Sequence, residues 1–248
     1  MTEQLHMASF EGTYTRQFSA MVEAVHPGIV ELDRTAFYPF GGGQPADQGK
    51  LQWEGGTARV EDVRKRNRLR HMVAGDLPEV GATVEGSIDW DRRYAHMKMH
   101  TSQHLVSAVV DQLHGARTVG NQLYADKARI DFQPLRLSPA QLSEVEAEAN
   151  RYLAKDLPIT ITEADRSELE QDPLVRSNLS LLPPSIRRLR VISIGNLDIC
   201  PCAGTHVRSL GEIGEIEFTK RDNKGSGKQR LTYTLREPGR ETRILPGR

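Results

Sequence analysis

Two short motifs place side chains that can bind a metal ion. The first is HTSQH, with His100 and His104 four residues apart. On a helix such a pair shares one face, with Cβ atoms about 5–6 Å apart, close enough for two imidazoles to reach one ion. His96 precedes them by four residues. At ~1.5 Å rise per residue it stands about 12 Å along the axis from His104, too far for all three to share an ion, so it is read as lying behind the ligands or at the surface. The second motif is CAGTH, which supplies Cys202 and His206. Each pair alone is a weak signal, because a His-rich helix, a small buried Cys and a satisfied core His would look the same. Together they offer three imidazoles and one thiolate, a set suited to one tetrahedral Zn2+ per chain. Thr101 stands where a zinc peptidase of the HExxH kind carries Glu, which disfavours that chemistry. Four protein ligands describe a closed site, whereas catalytic zinc keeps a position open. Either one ligand is loose and the ion activates water, or the ion positions and polarises the substrate. Asp198, four residues before Cys202, is expected to support the ligands or cap the loop rather than act as a base.

The elements that must carry these residues follow from periodicity. Residues 91–114 contain no Pro or Gly, and Met97, Thr101, Leu105, Ala108 and Gln112 mark one line with Val109 and Leu113 beside it. This predicts a helix of about six turns, starting near Asp91 and stopped by Gly115. The Cys motif directly follows IRRLRVISIG, a predicted strand. NQLYADKARIDFQ reads as one or two strands, and GEIGEIEFTK and QRLTYTLRE as further strands. Ser138, Pro139 and Gln141 form a capping-box start for a second helix with Leu142, Val145, Ala149, Tyr152 and Leu153 as its apolar stripe and Pro158 closing it. SELEQ predicts a short helix. Before residue 90, short runs around His26-Pro27-Gly28, then LQW, GTARVEDV and GATVEGSIDW, alternate with turn signals, which points to a small barrel or sandwich. The expected fold class is α+β. A small N-terminal β domain over residues 1–90, barrel or sandwich, carries a Gly-rich loop, and an α+β domain with the metal-binding motifs follows over residues 91–248.

Composition narrows the field of functions. The chain has 248 residues, of which 38% are AVILMFWYC; its glycines bring the apolar share to roughly 46%, within the globular range. Lys+Arg and Asp+Glu are 33 each, so the net charge is zero. That argues against coating nucleic acid or membrane by bulk charge. No apolar run approaches the ~18 residues of a membrane span, and MTEQLHMASF lacks the apolar run of a signal peptide. Two cysteines one residue apart make no disulfide framework. The expectation is a reduced, cytoplasmic protein with no membrane and no DNA partner.

Read together, the motifs resemble one family. HTSQHL and CAGTHV resemble the zinc motifs of the alanyl-tRNA synthetase editing domain and its free-standing relatives, the AlaX proteins. FYPFGGGQPADQG resembles the Gly-rich segment of the AlaX N-terminal domain, RIDF the strand between the zinc motifs, and GEIGEIEFTKRDNKGSGKQRLTYTL the closing hairpin. The matches run from about Thr35 to Leu235 in the family's order. Threonyl-tRNA synthetase carries a related editing domain, but the GGGQ segment favours the alanyl branch. The resemblance implies hydrolysis of mischarged tRNA(Ala), with His100, His104, Cys202 and His206 as zinc ligands. It implies a small N-terminal β-barrel-like domain over residues 1–90 joined to an α+β zinc-containing editing domain with an antiparallel sheet over residues 91–248. Cys200 is an added thiol, and Ser102 and Gln103 replace commoner small residues of the first motif.

Pocket energetics explain the need for such an enzyme. An alanine pocket excludes glycine or serine by only ~10–200-fold, so a second, hydrolytic site is required. A site that bonds the serine hydroxyl would reject alanine, because its buried polar groups would be left unpaired. Ser-tRNA(Ala) is therefore the expected main substrate, with Gly-tRNA(Ala) weaker and Ala-tRNA(Ala) spared. Thr35 is the candidate reader of that hydroxyl and, with Gln103, makes the candidate catalytic set. Gly41, Gly42, Gly43 and Gln44 either form a tight turn with φ > 0 or, by analogy with the GGQ loop that release factors use in hydrolysing a tRNA ester, contact the tRNA backbone or close the pocket. For the RNA backbone, Lys220, Arg221, Lys224, Lys228 and Arg230 surround a Gly-Ser turn suited to phosphates. Two further basic runs are Arg64 to Arg70 and Arg187, Arg188 and Arg190. With no P-loop or Rossmann fingerprint and no room for an aminoacylation domain, the chain is expected to act in trans. A zinc-stabilised RNA-binding module without catalysis and a zinc hydrolase of a small ester or amide remain the competing readings.

Overall fold

Strand β1 (Gln17–His26) buries Phe18, Ala20 and Val22 and exposes the residues between them, the two-residue period of a half-buried strand. With β2 (Ile29–Leu32), β3 (Gly49–Trp53), β4 (Gly56–Lys65), β5 (Leu69–Gly75) and β6 (Thr83–Ile88) it closes an antiparallel barrel in the order β1-β2-β5-β4-β3-β6. Val30, Leu32, Phe37, Leu51, Val60 and Val63 fill it. Of the barrel or sandwich expected from the sequence, the barrel is found. Strand β5 lies in a basic run and was not expected, because a histidine, His71, occupies a fully buried position in it. The structure is a computed structural model and describes residues 2–236. Glu237, the last residue of the predicted QRLTYTLRE strand, and residues 238–248 of the second predicted region lie outside the described residues.

Helix α1 (Trp90–His114) follows the barrel directly. Its cap is Asp89, whose side chain accepts from the Arg92 N–H at 3.3 Å, so the helix begins ahead of Asp91. Gly115 ends it with φ +61, the left-handed conformation that glycine adopts without penalty. Then come β7 (Arg117–Leu123), β8 (Ala128–Gln133), α2 (Pro139–Leu153), β9 (Ile159–Asp165), β10 (Arg188–Ile194), β11 (Asp198–Pro201), β12 (Glu215–Asn223) and β13 (Gln229–Arg236). The predicted capping box of α2 is present in both directions, but the helix caps at Ala154, and Pro158 precedes β9 instead of closing it. SELEQ overlaps a single turn, Arg166–Leu169. Two antiparallel sheets, β12-β13-β8-β7 and β9-β10-β11, accompany the helices. Met97, Leu105 and Val109 of α1 share one core with Ile130, Phe132, Val145 and Tyr233. Phe10 and Tyr14 also pack on this core rather than in the barrel. Among the described residues no helix is long and apolar enough to cross a membrane.

Thr35 and His71 form a fully buried polar chain at the barrel. The His71 Nδ1 lies 3.0 Å from the Val30 carbonyl, which only accepts, so Nδ1 carries the proton. The Thr35 hydroxyl, 2.9 Å from Nε2, then donates to it and accepts from the Phe37 N–H at 3.1 Å. This neutral arrangement has no room for a second proton. Burial, opposed by the Val30 bond and the Glu31 charge, holds His71 down to about 4. Burial also pushes His96 down to about 4. Both native values lie below the ordinary imidazole value, so the unfolded chain binds more protons between pH 6.5 and 4 and stability falls with pH in that window. We expect the contribution of each such histidine to be flat above about pH 7 and to drop by about 2 kcal/mol by pH 5. Denaturant unfolding at pH 7.5 and 5.0 measures this. His71→Asn, which keeps a donor for Val30 without titrating, is expected to show a shallower drop, and an unchanged one would be contrary.

Candidate metal centre

The two motifs converge. His100 and His104 on α1 and Cys202 and His206 on the loop after β11 place ligand atoms within 4.8 Å of one another. The Cys202 Sγ lies 3.5 Å from the His100 Nε2 and 3.4 Å from the His206 Nε2. His100, His104 and Cys202 line a cleft of about 910 Å³, and His206 stands fully buried behind them.

Hydrogen bonds behind the rings fix which nitrogen faces the cluster. The His100 Nδ1 lies 2.7 Å from Gln44 Oε1, and the Gln44 Nε2 donates to Thr205 Oγ1 at 2.8 Å, so the Gln44 oxygen is the end that accepts. The His104 Nδ1 meets Asp198 Oδ2 at 3.0 Å. The His206 Nδ1 meets Thr101 Oγ1 at 3.1 Å, and that hydroxyl gives its own proton to the Met97 carbonyl at 3.0 Å. All three rings therefore keep a proton on Nδ1 and turn Nε2 inward, where each neutral ring offers its lone pair. Anchoring of this kind sets both tautomer and basicity of metal-bound histidines. Thr101 thus has a definite task inside HTSQH.

The Cys loop is equally constrained. A Cβ on Gly204 would lie 2.0 Å from the His100 ring, so only glycine lets this loop approach the helix. The Gly204 N–H points at the Cys202 Sγ from 3.3 Å. The Arg190 guanidinium donates to the Cys202 and Gly204 carbonyls at 2.6 and 3.1 Å. Burial alone would push the Cys202 thiol up, but the His100 and His206 charges and the imidazole hydrogen bonds outweigh it and hold it well below its ordinary value. Burial, then the His100 charge, depresses His206. His104 moves the other way: burial lowers it, but the Cys200 charge and the bonds to Asp198, Cys200 and Cys202 raise it well above the usual imidazole range. A thiolate beside inward-facing imidazoles is the donor set that fits a borderline-soft cation.

The Gly-rich segment reaches this site from the barrel side. Gly41 and Gln44 bond each other's backbones, and the Gly43 carbonyl accepts from the Leu123 N–H at 2.9 Å. Gly43 has φ +82, and a Cβ there would lie 2.3 Å from Asn121 Oδ1, so the loop docks on β7 only as glycine. Gln44 is fully buried.

Other expected site residues are distributed unevenly. Gln103 lines the cleft, donating to Ser107 Oγ at 2.9 Å and accepting from Asn121 at 3.3 Å. Thr35 requires a correction. It is fully buried, its hydroxyl is engaged by His71 and Phe37, and it is not among the cleft residues, so it has no face for a substrate hydroxyl. His96 is buried, not at the surface. In the 220–230 hairpin, Arg221 donates to the Leu137 carbonyl, Arg230 pairs with Asp131 at 2.6 Å, and Lys220 and Lys224 lie 3.0 and 4.0 Å from Asp222. Arg190 is turned inward onto the Cys loop, which removes it from an RNA-facing run. Sequence reasoning missed Arg176, which pairs with Asp198 at the cleft, and His6. The His6 imidazole lines the cleft and is held neutral by burial and by the Arg93 and Arg190 charges.

Comparison with known proteins follows the same lines. A family model described as the threonyl and alanyl tRNA synthetase second additional domain matches residues 189–232, which include Cys202 and His206. One described as tRNA synthetases class II (A) matches residues 5–92. The fold and site thus define a relative of synthetase accessory domains. An alanyl-tRNA editing protein AlaX-M of Methanosarcina acetivorans is 37% identical over 246 residues, 95% of this chain and 99% of that protein. An AlaX-L of Pyrococcus horikoshii is 35% identical, across 91% of this chain and 56% of its own length. An alanine–tRNA ligase of Pyrobaculum neutrophilum is 39% identical, but over 26% of its length. The chain belongs to the alanyl-tRNA editing protein family.

If Gln44 holds His100 in its ligand tautomer, Gln44→Ala weakens Zn2+ binding by about 10–100-fold. A competition titration against a chromophoric chelator measures it, and an unchanged affinity would contradict the role.

Proposed function

We propose that this protein is a trans-editing hydrolase that deacylates mischarged tRNA(Ala), mainly Ser-tRNA(Ala) and more weakly Gly-tRNA(Ala), sparing Ala-tRNA(Ala). The observation that carries this reading is a His100–His104–Cys202–His206 cluster whose first three members open onto a wide cleft, in a chain that matches AlaX-M relatives over nearly their whole length. The donor set suits Zn2+, which when bound would supply Lewis-acid polarisation of the ester and charge to position it. The protein's own part is to hold three imidazoles and one thiolate against the cleft and to line its walls. Gln103, Ser107 and Thr118 form a hydrogen-bonded polar strip there, Ser107 and Thr118 lying 2.8 Å apart. A strip of this kind suits a serine hydroxyl, and an alanine methyl would leave its polar atoms unpaired. Lys220, Lys224 and Lys228 around the Gly225–Gly227 turn are the proposed tRNA backbone contacts, with Arg221 and Arg230 bracing the hairpin. The division into residues 1–90 and 91–248 and a cytoplasmic setting complete the proposal.

Deacylation of Ser-, Gly- and Ala-tRNA(Ala) tests it. We expect rapid release of serine, slower release of glycine and retention of alanine, with a loss of more than about 100-fold in Cys202→Ala. Equal hydrolysis of the alanyl ester would contradict the specificity. Binding of tRNA without release would favour a non-catalytic module, and hydrolysis of small esters without tRNA a small-molecule hydrolase.

A further inference from the structure

The mouth of the cleft carries an aromatic ring that the fold leaves uncovered. Phe40 is 44% exposed and lines the cleft. Burying such a side chain is favourable, yet Phe40 joins no hydrophobic core cluster among the described residues. It is also held firmly. Its backbone N–H donates to the Val63 carbonyl at 2.9 Å, and the Gly41–Gln44 turn follows immediately. The Arg64 guanidinium lies 4.4 Å from the ring centroid and is itself anchored by Asp62 at 2.6 Å. A cation over an aromatic face is a stabilising contact, and here it fixes the ring's attitude. Lys65, the next residue, also lines the cleft and enters no ion pair among the described residues. Arg117 stands on the cleft wall, paired with Asp111 at 3.5 Å.

A rigid, exposed ring with cations beside it matches a planar base on an anionic backbone. The covalent path to the metal cluster is short. Phe40 stands four positions before Gln44, which bonds His100, and the turn between them is closed, so the Cα atoms lie well inside the ~14 Å that four extended steps span. From these facts, and resting on the editing reading above, we propose that Phe40 is the stacking platform for the 3′-terminal base of the tRNA, with Lys65 beside it for the adjoining phosphate. The ester, one ribose away from that base, then falls toward His100 and Cys202.

The test uses the metal-loaded full chain, a labelled uncharged RNA heptamer ending in CCA, and the same heptamer with an abasic terminal residue. Phe40→Ala and Phe40→Leu are expected to weaken heptamer binding and raise KM for Ser-tRNA(Ala) by about 5–100-fold, the range for one stacked base, with kcat little changed. Phe40→Trp retains binding. The abasic heptamer loses a similar factor against the wild type and loses nothing further against Phe40→Ala. Wild-type affinity in Phe40→Ala or Phe40→Leu overturns the platform, as does an abasic penalty that persists in Phe40→Ala. A wild-type protein that releases no amino acid overturns the editing reading instead, while the heptamer comparison still decides the stacking.

Discussion

The buried pair between Arg93 and Asp47 sets the position of everything at the site. Both side chains are fully buried. Arg93 Nε lies 3.0 and 2.9 Å from the two Asp47 oxygens, and Nη1 donates to the Thr13 carbonyl at 2.8 Å. Asp47 also accepts from the Tyr38 N–H at 2.6 Å. A buried charge left alone costs several kcal/mol, and removing one partner typically costs about 3–5 kcal/mol. The saturated geometry here therefore permits one docking of helix on barrel. Arg93 and His100 are seven positions, two helical turns, apart, so they share a face about 10 Å apart along the axis. Their partners, Asp47 and Gln44, are three residues apart in the Gly-rich segment. Two contacts thus register helix against barrel, one by charge and the other by the tautomer of a ligand.

The same logic extends through the centre. Each ligand histidine leans on an acceptor from a different element: Gln44 beside the barrel, Asp198 on β11, and Thr101 on α1 itself. Asp198 is in turn held by Arg176, and the Cys loop by Arg190. A chain with zero net charge therefore directs several of its arginines inward, to carboxylates and carbonyls that shape the site. The basic runs overstate the positive charge available to a polyanion, and a fit to the aminoacyl end of a tRNA demands less of that charge than a long duplex track would.

Much of the site was legible because its signals are local. The i,i+4 spacings of HTSQH and CAGTH, the Ser138 capping box and the Gly115 stop depend on neighbours within a turn or two. What escaped depends on distant partners. No sequence pattern says that Gln44 will meet His100, or that Arg190 will turn inward. Strand β5 was hidden because His71 stands at a core position, satisfied by Val30 and Thr35 from other segments. Thr35 looked available beside the Gly-rich loop for the same reason: its partner is 36 residues away. Glycine positions were visible as turn formers, but the need for Gly204 arises from contact with a ring a hundred residues earlier.

The claim that docking of helix on barrel completes the candidate metal centre is tested most directly by a double-mutant cycle on Zn2+ affinity. Asp47→Asn touches no ligand, and Gln44→Ala touches one. If the buried pair acts by seating Gln44 on His100, Asp47→Asn alone weakens Zn2+ binding, and adding it to Gln44→Ala weakens binding little further, a coupling of the size seen for groups in one network, about 0.5–3 kcal/mol. Wild-type affinity in Asp47→Asn, or effects of the two changes that simply add, would contradict it.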